Sequence, residues 1–337
     1  MIMDIERQIQ LLPSGRKFVC TGNATILEAG LNAGLALAYG CSNGNCGECL
    51  AKVVSGKIEK TRHHDFNTDN DPGAGNRILM CCNTASTDLV LEALEALDTS
   101  EIPQQHITAK VKNIRIVNDN VALLHLKTPR TSRLRFLAGQ HVQLGGNDLP
   151  LSNHSISSCP CDDMNLHFQV PRLSGDSFSD HVFNSMKKGD PVDVMGPGGN
   201  FVLDENSRRA LVFIAWRTGF GPIRSLVEHA MSLDFKESIR LIWIAHSKDD
   251  RYLDNLCRSW EDALDEFDYI PVDSNAIDGA VDMQEIITKQ LNIDLSRLAD
   301  HDFYVAGSKT LLDSWRAILI GIGLPAEQLT LDQIEHA

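Results

Sequence analysis

The sequence has no long hydrophobic run. Its longest apolar stretches, residues 211–216 and 241–245, are far shorter than the roughly 20 residues that a helix needs to cross a bilayer. The first ten residues carry charges of both signs and lack the apolar core of a secretory signal. We therefore expect no membrane span, a cytoplasmic location, and apolar runs that form buried strands.

Basic residues are scarce relative to acidic ones. The chain has 31 Lys and Arg against 45 Asp and Glu, which gives a formal net charge of −14. Binding of nucleic acid requires clustered Lys and Arg, so no nucleic-acid partner is expected. The acidic surface leaves two interpretations open, because it could dock on a basic protein partner or simply keep the chain in solution.

The 337 residues exceed one ordinary core and divide into three segments. Residues 1–98 combine short strands with a helix predicted over 25–38. Residues 104–206 show short alternating strands separated by Gly, Pro and Asn, a pattern typical of an antiparallel barrel. Residues 207–337 alternate apolar strands with amphipathic helices, which indicates a parallel sheet with crossover helices. The predicted fold class is a multidomain α+β and α/β protein.

The cysteines crowd into one part of the first segment. Cys41, Cys46 and Cys49 have the C-x₄-C-x₂-C spacing, and either Cys81 or Cys82 follows at a distance. An iron–sulfur cluster needs four thiolates on two irons, three from one tight loop and one from a distant strand. Zinc is the competing interpretation, but structural zinc sites usually pair two C-x₂-C knuckles and this loop has no second one. The pattern predicts a [2Fe–2S] cluster.

The glycines of this loop support the same prediction. Gly44 and Gly47 lie between the cysteines, where the backbone must turn its N–H groups toward the sulfur atoms. The remaining cysteines, including Cys159 and Cys161, show no ligand-like spacing and are expected to be small buried side chains.

The segment from residue 79 to 92, which reads LMCCNTASTDLVLE, resembles the last ligand segment of the ferredoxin domains in bacterial oxygenase reductases. That resemblance places Cys81 on the iron. It extends along the chain in order and implies a β-grasp [2Fe–2S] ferredoxin domain at 1–98, an antiparallel β-barrel FAD domain at 104–206 and a Rossmann-like NAD(P)-binding domain at 207–337. The family includes the reductase components of benzoate dioxygenase, phenol hydroxylase and soluble methane monooxygenase.

The resemblance also implies a function. Members of the family take a hydride from NAD(P)H onto FAD and pass single electrons through the cluster to a terminal oxygenase or another electron-accepting protein. The flavin is needed because nicotinamide gives two electrons at once and the cluster accepts one.

The flavin motifs of the family are partly retained. The GPxGxF turn begins at Gly196, and the R-x-Y-S tetrad falls on residues 152–155 with its serine kept but its arginine and tyrosine replaced. The resemblance implies that Ser155 lies at the hydride-accepting flavin nitrogen as the catalytic residue. The G-x-x-S pattern, whose backbone N–H groups hold the flavin diphosphate, reads Gly175 to Ser179 with one extra residue. The residues predicted to contact FAD are His154, Ser155, Ser157, Arg172 (in place of the missing arginine), Ser179 and Gly196.

The nucleotide motifs show the same partial retention. The Gly-Gly-Thr-Gly-x-x-Pro loop becomes Trp-Arg-Thr-Gly-Phe-Gly-Pro over residues 216–222. Arg217 could bind phosphate, or Trp216 could block the nicotinamide pocket, since glycine normally lets the dinucleotide approach there. The family's Cys-Gly-Pro-Pro segment becomes Ala-Gly-Ser-Lys over 306–309. The predicted nucleotide contacts are Thr218, Gly219, Pro222 and Gly307.

Two hypotheses of function follow. The first is an NAD(P)H-dependent FAD/[2Fe–2S] oxidoreductase that feeds an oxygenase or similar acceptor. The second is a [2Fe–2S] electron carrier on a degenerate reductase scaffold that no longer uses pyridine nucleotide. The retained Ser155, GPxGxF turn and Thr218-Gly219 pair favour the first.

Overall fold

The computed structural model describes residues 6–68, 76–146, 149–274 and 295–334. Three main sheets follow one another along the chain, and each has its own buried core. The order matches the predicted multidomain α+β and α/β fold class.

The first sheet has five strands in the order β2-β1-β7-β3-β5, with β1 and β7 parallel and the other neighbours antiparallel. Strands β4 and β6 form a separate antiparallel pair. A helix, α1, packs on β2 within the same core. The elements are β1 Glu6–Leu12, β2 Lys17–Thr21, α1 Ile26–Asn32, β3 Leu50–Ser55, β4 Ile58–Lys60, β5 Arg77–Leu79, β6 Asn83–Ala85 and β7 Leu89–Ala93.

Helix α1 begins where the sequence predicts and ends earlier. Thr25 and Glu28 form a reciprocal capping box, in which each side chain accepts a hydrogen bond from the backbone N–H of the other residue. Gly34 has a φ of +78°, the left-handed conformation that closes a helix C-terminus. The helix predicted to reach residue 38 is therefore wrong by six residues, because this glycine ends it after Asn32.

The second sheet has six antiparallel strands in the order β11-β10-β13-β8-β9-β12. Its core holds mainly aliphatic side chains and phenylalanines. A two-turn helix, α2, follows β12 and contacts β11. The elements are β8 Gln105–Asn118, β9 Val121–Lys127, β10 His141–Gly146, β11 Leu149–Ser155, β12 Asn165–Pro171, α2 Ser177–Asn184 and β13 Pro191–Gly198.

The third sheet is parallel, in the order β16-β15-β14-β17-β18, with buried helices on both faces. Long apolar strands such as Ala210–Trp216 suit a sheet that is covered on both sides. The elements are β14 Ala210–Trp216, α3 Phe220–Ser232, β15 Ile239–Ala245, α4 Asp254–Ala263, β16 Phe267–Asp273, β17 His301–Gly307, α5 Lys309–Gly321 and β18 Leu329–Gln333. Helix α4 ends at Ala263, and Phe267 begins the next strand.

Among the helices of the described residues, none is both long and apolar enough to cross a membrane.

Candidate functional site

The loop from Cys41 to Cys49 presents its sulfur atoms to backbone N–H groups. The Cys41 Sγ accepts hydrogen bonds from the N–H groups of Asn45 and Cys46, both at 3.3 Å. The Cys46 Sγ accepts one from the N–H of Cys41 at 3.4 Å. Burial opposes ionisation of the Cys41 thiol, but these backbone donors outweigh it and lower its pKa below the ordinary value. The backbone donors thus favour the thiolate form of Cys41, whereas burial raises the pKa of the Cys46 thiol.

The fourth predicted ligand comes from the short helical turn after β5. The Cys81 Sγ lies 3.3 Å from the Cys49 Sγ, and this hydrogen bond lowers the pKa of Cys49 to about 7. The four thiols therefore form two pairs, Cys41 with Cys46 and Cys49 with Cys81. Two pairs fit a cluster of two irons that takes four protein thiolates. In the described part of the chain, no three His, Cys, Asp or Glu side chains converge on a single metal ion.

The neighbouring Cys82 lies close to the same loop. Its Sγ is 3.6 Å from the Cys81 Sγ, and a Cβ added to Gly44 would lie 2.7 Å from it. Gly44 also has a φ of +88°, so both its conformation and the lack of space require glycine. Gly47, with a φ of +83°, is required for the same reasons, because a Cβ there would overlap the Phe66 ring.

The cluster loop contacts the loops that connect strands of the second sheet. The backbone N–H of Arg133 donates to the carbonyl of Gly40 at 2.7 Å, and the Ser42 hydroxyl donates to Asp163 at 3.1 Å. Arg133 is buried, and its guanidinium lies 3.4 Å from the Asp163 carboxylate. Burial raises the pKa of Asp163, and the opposite charge of Arg133 partly offsets that. Within the loop, Cys46 is exposed whereas Cys41 and Cys49 are buried.

A cleft of about 150 Å³ lies between the second and third sheets. Its walls come from the end of β11, the end of β12, the start of α3 and the end of β18. Among the described residues no Lys or Arg lines it. The lining residues are His141, Ser152, Asn153, His154, Ser155, Gln169, Pro171, Leu173, Thr218, Gly221, Asp332, Gln333 and Ile334.

Three polar side chains meet in this cleft. The Ser155 hydroxyl hydrogen-bonds the carboxyl of Asp332, and burial raises the pKa of that carboxyl to about 6. The Thr218 Oγ1 is buried and has no hydrogen-bond partner within the described structure. Buried hydroxyls are normally paired, so Thr218 leaves a polar position for a bound molecule to fill. This end of the cleft fits the flavin ring, whose nitrogen and oxygen atoms need hydrogen-bond partners.

Other residues that were predicted to contact FAD or the nucleotide lie behind the side chains that line the cleft. The buried Ser157 accepts a hydrogen bond at 2.9 Å from the amide of Gln169, which lines the cleft. A Cβ added to Gly196 would lie 2.9 Å from Val142, so glycine is needed for packing between β10 and β13. Pro222 is buried in the first turn of α3.

The glycines of the nucleotide loop are required by close backbone approach. A Cβ added to Gly219 would overlap the carbonyl of Ala306, and one added to Gly307 would lie 2.9 Å from the Trp216 Cβ. Arg217 has a φ of +49°. Its carbonyl accepts a hydrogen bond from the Trp243 ring at 3.0 Å.

Three residues predicted to contact FAD form hydrogen bonds within the protein, and of these three only His154 lines the cleft. Arg172 is not brought to the cleft, because its Nε donates to the carbonyl of Asp119 at 2.7 Å and its guanidinium lies 4.0 Å from the centre of the Phe183 ring. The fully buried Ser179 hydroxyl donates to the carbonyl of Pro171 at 2.8 Å. His154 is buried, and its Nε2 lies 3.0 Å from the Ser152 hydroxyl.

Sequence reasoning missed three features of these sites. Asp332 follows the last described helix at the carboxyl end of a parallel strand, a position that often carries ligand contacts in such sheets. When the G-x-x-S pattern is aligned with its serine on Ser179, Asp176 stands at the glycine position of the pattern. Cys159 and Cys161 are joined by a disulfide rather than lying as separate buried thiols, and their close spacing was the only sequence signal for it.

Three family models match consecutive parts of the chain. The 2Fe-2S iron-sulfur cluster binding domain matches residues 9–87, the oxidoreductase FAD-binding domain residues 108–203, and the oxidoreductase NAD-binding domain residues 213–316. The cofactors of the chain are accordingly a [2Fe–2S] cluster, FAD and NAD(P)H. These matches confirm the hypothesis of an NAD(P)H-dependent oxidoreductase.

Full-length relatives share all three parts. The CDP-6-deoxy-L-threo-D-glycero-4-hexulose-3-dehydrase reductase of Yersinia pseudotuberculosis is 28% identical over 96% of this chain and 97% of its own. Reductase component 2 of the terephthalate 1,2-dioxygenase of Comamonas is 27% identical over 97% of each chain. The solved structure of an Amycolatopsis cytochrome P450 reductase has the same fold, with a TM-score of 0.61 at 20% identity over 97% of this chain and 98% of that one. The chain therefore joins a 2Fe-2S iron-sulfur cluster binding domain to FAD-binding and NAD-binding oxidoreductase domains, and over nearly its whole length it is similar to the reductase component of a bacterial dioxygenase.

Proposed function

We propose that this chain is the reductase component of a two-protein system and delivers electrons from NAD(P)H to a terminal oxygenase or another electron-accepting protein. The observation that carries the proposal is the cleft between the second and third sheets, where Ser155, Asp332 and the unpartnered Thr218 hydroxyl meet. The cleft lies between the FAD-binding and NAD-binding parts, and the cluster loop is hydrogen-bonded to loops of the same FAD-binding part.

Bound FAD supplies the exchange between a two-electron donor and a one-electron acceptor. The chain's own residues would bind and orient it. Ser155 is the residue that we propose as catalytic, because its hydroxyl lies at the cleft and is held by Asp332. The Asp332 carboxyl, whose pKa burial raises to about 6, accepts the hydrogen bond of the Ser155 hydroxyl and so fixes its orientation in the cleft. Thr218 offers a hydroxyl to the bound ring or nicotinamide, and Gln169 is held in place by Ser157.

The cluster is proposed to lie on Cys41, Cys46, Cys49 and Cys81. Electrons leave by the exposed side of the loop, where Cys46 reaches the surface. The partner is a protein that docks there. Four reduced thiols on a cluster suit the cytoplasm, the compartment that we propose. The proposed domain boundaries remain 1–98, 104–206 and 207–337.

An anaerobic visible spectrum of the purified chain, reconstituted with FAD, tests this function. NADH and NADPH are added in turn, and bleaching of the flavin and then of the cluster absorbance is expected with at least one of them. That nucleotide identifies the donor. Cluster absorbance that neither nucleotide changes, with FAD present, would contradict the proposal and favour an electron carrier reduced by another protein.

A further inference from the structure

The diphosphate of FAD is an anion, and the cleft offers it neutral hydrogen-bond donors such as Ser152, Asn153 and Gln333. Within the described residues, none of the side chains lining it belongs to Lys or Arg. The positively polarised group next to it is the N-terminus of α2, whose first backbone N–H groups have no partners within the helix. This helix start adjoins the cleft through Ser152 and Leu173, which both line it.

That position is already occupied by a carboxylate of the chain. The Asp176 Oδ1 accepts the backbone N–H of Ser179 at 2.6 Å, and its Oδ2 accepts the Ser152 hydroxyl at 3.1 Å. The Ser152 hydroxyl in turn lies 3.0 Å from the His154 Nε2. The start of α2 therefore already has an anion of the chain bound to it, the Asp176 carboxylate, and Ser152 links that carboxylate to His154.

An anion at a helix N-terminus is stabilising, and a second anion brought to the same place is repelled by it. A phosphate that approaches α2 must either displace Asp176 from Ser179 or remain beside its negative charge. Neither effect weakens binding of the flavin ring, which fits the other end of the cleft near Ser155 and Thr218.

We propose that Asp176 limits the affinity of this chain for FAD, because its carboxylate occupies the start of α2 and repels the diphosphate. FAD is then an exchangeable cofactor of this reductase, and the loss of affinity is confined to its phosphorylated part. This inference rests on the proposed flavin site and adds to it the residue that sets how tightly the cofactor is held.

The test compares the full-length, cluster-loaded chain with three variants. Asp176→Asn removes the charge and keeps a good helix cap, Asp176→Gly removes both carboxylate and cap, and Asp180→Asn removes an exposed charge from the same helix without touching the cap. Each protein is titrated with FAD and with riboflavin, and free flavin is measured after ultrafiltration. Circular dichroism and cluster absorbance confirm that each variant is folded.

We expect Asp176→Asn and Asp176→Gly to bind FAD about tenfold more tightly than the wild type, and Asp180→Asn to bind it as the wild type does. Riboflavin affinity should be the same in all four proteins. Unchanged or weaker FAD binding in both Asp176 variants would overturn the inference while leaving the flavin site intact. An equal gain for riboflavin would also overturn it. If no protein bound either flavin, the proposed flavin site itself would fail.

Discussion

The sulfur atoms of Cys49 and Cys81 lie 3.3 Å apart although 32 residues separate them in the chain. Cys49 ends the tight loop, and Cys81 lies in the helical turn after β5, so the pair joins two separate elements of the ferredoxin part. Cys82 has its sulfur 3.6 Å from that of Cys81, on the side of the Cys41–Cys49 loop where Gly44 lies. Its position makes it a natural control for the fourth ligand.

Replacing Cys81 by Ser should abolish the cluster, because the second pair of thiolates would lose one member. Cys82→Ser should retain it. Iron and sulfide content, together with visible absorbance of the purified proteins, measures both. If Cys82→Ser lost the cluster and Cys81→Ser kept it, the fourth ligand would be Cys82.

Gly44→Ala should destabilise the ferredoxin part by about 2–4 kcal/mol, since it combines left-handed backbone strain with overpacking. The added methyl group would lie 2.7 Å from both the Cys82 Sγ and the His64 Cβ. Gly15→Ala is the matched control, because Gly15 has a φ of +75° with nothing within 4 Å of the added atom. It should cost only about 1–2 kcal/mol from the backbone. Thermal loss of cluster absorbance compares the two, and equal losses would refute the packing argument.

Ser155→Ala should slow reduction of the flavin by NAD(P)H at least about tenfold, because it removes the hydroxyl that Asp332 holds at the cleft. Stopped-flow absorbance under anaerobic conditions measures the rate. Ser185→Ala, at the exposed C-terminal end of α2, is the control and should reduce at the wild-type rate. Wild-type kinetics in Ser155→Ala would exclude the catalytic role.

Asp332 should make the stability of the NAD-binding part depend on pH. Burial raises its pKa from 3.8 to about 6 in the folded chain, so the folded state keeps its proton where the unfolded state has lost it. Stability is therefore greatest below about pH 4 and falls as pH rises to about 6, by roughly 2–3 kcal/mol for this group.

Asp332→Asn removes this dependence. We expect it to match the wild type near pH 4 and to be about 2 kcal/mol more stable at pH 7. All four tryptophans lie within 207–337, so their fluorescence during chemical unfolding reports on this part of the chain. If the difference in free energy of unfolding between the wild type and Asp332→Asn did not change with pH, the Asp332 carboxyl would not have the raised pKa.

Local patterns in the sequence were sufficient for the order of the three parts and for the cysteine loop. The C-x₄-C-x₂-C spacing and its glycines act within nine residues, so their geometry depends little on the rest of the chain. The apolar run 241–245, predicted as a buried strand, lies in β15 (Ile239–Ala245), because an apolar run of that length suits a parallel sheet that is covered on both faces. The helix predicted for α1 is too long, because the apolar pattern of the sequence continues past Gly34 whereas the helical backbone ends before it.

The sequence by itself determined the order of the three parts, the cofactor classes and three of the four proposed cluster ligands, since each depends on residues close together in the chain. Only the tertiary structure paired Cys49 with Cys81, brought Asp332 to Ser155 and placed the Asp176 carboxylate between Ser152 and the start of α2. It also directed Arg172 away from the cleft. These contacts join residues as far as 177 positions apart, and such pairings follow from how sheets and helices pack rather than from any local pattern.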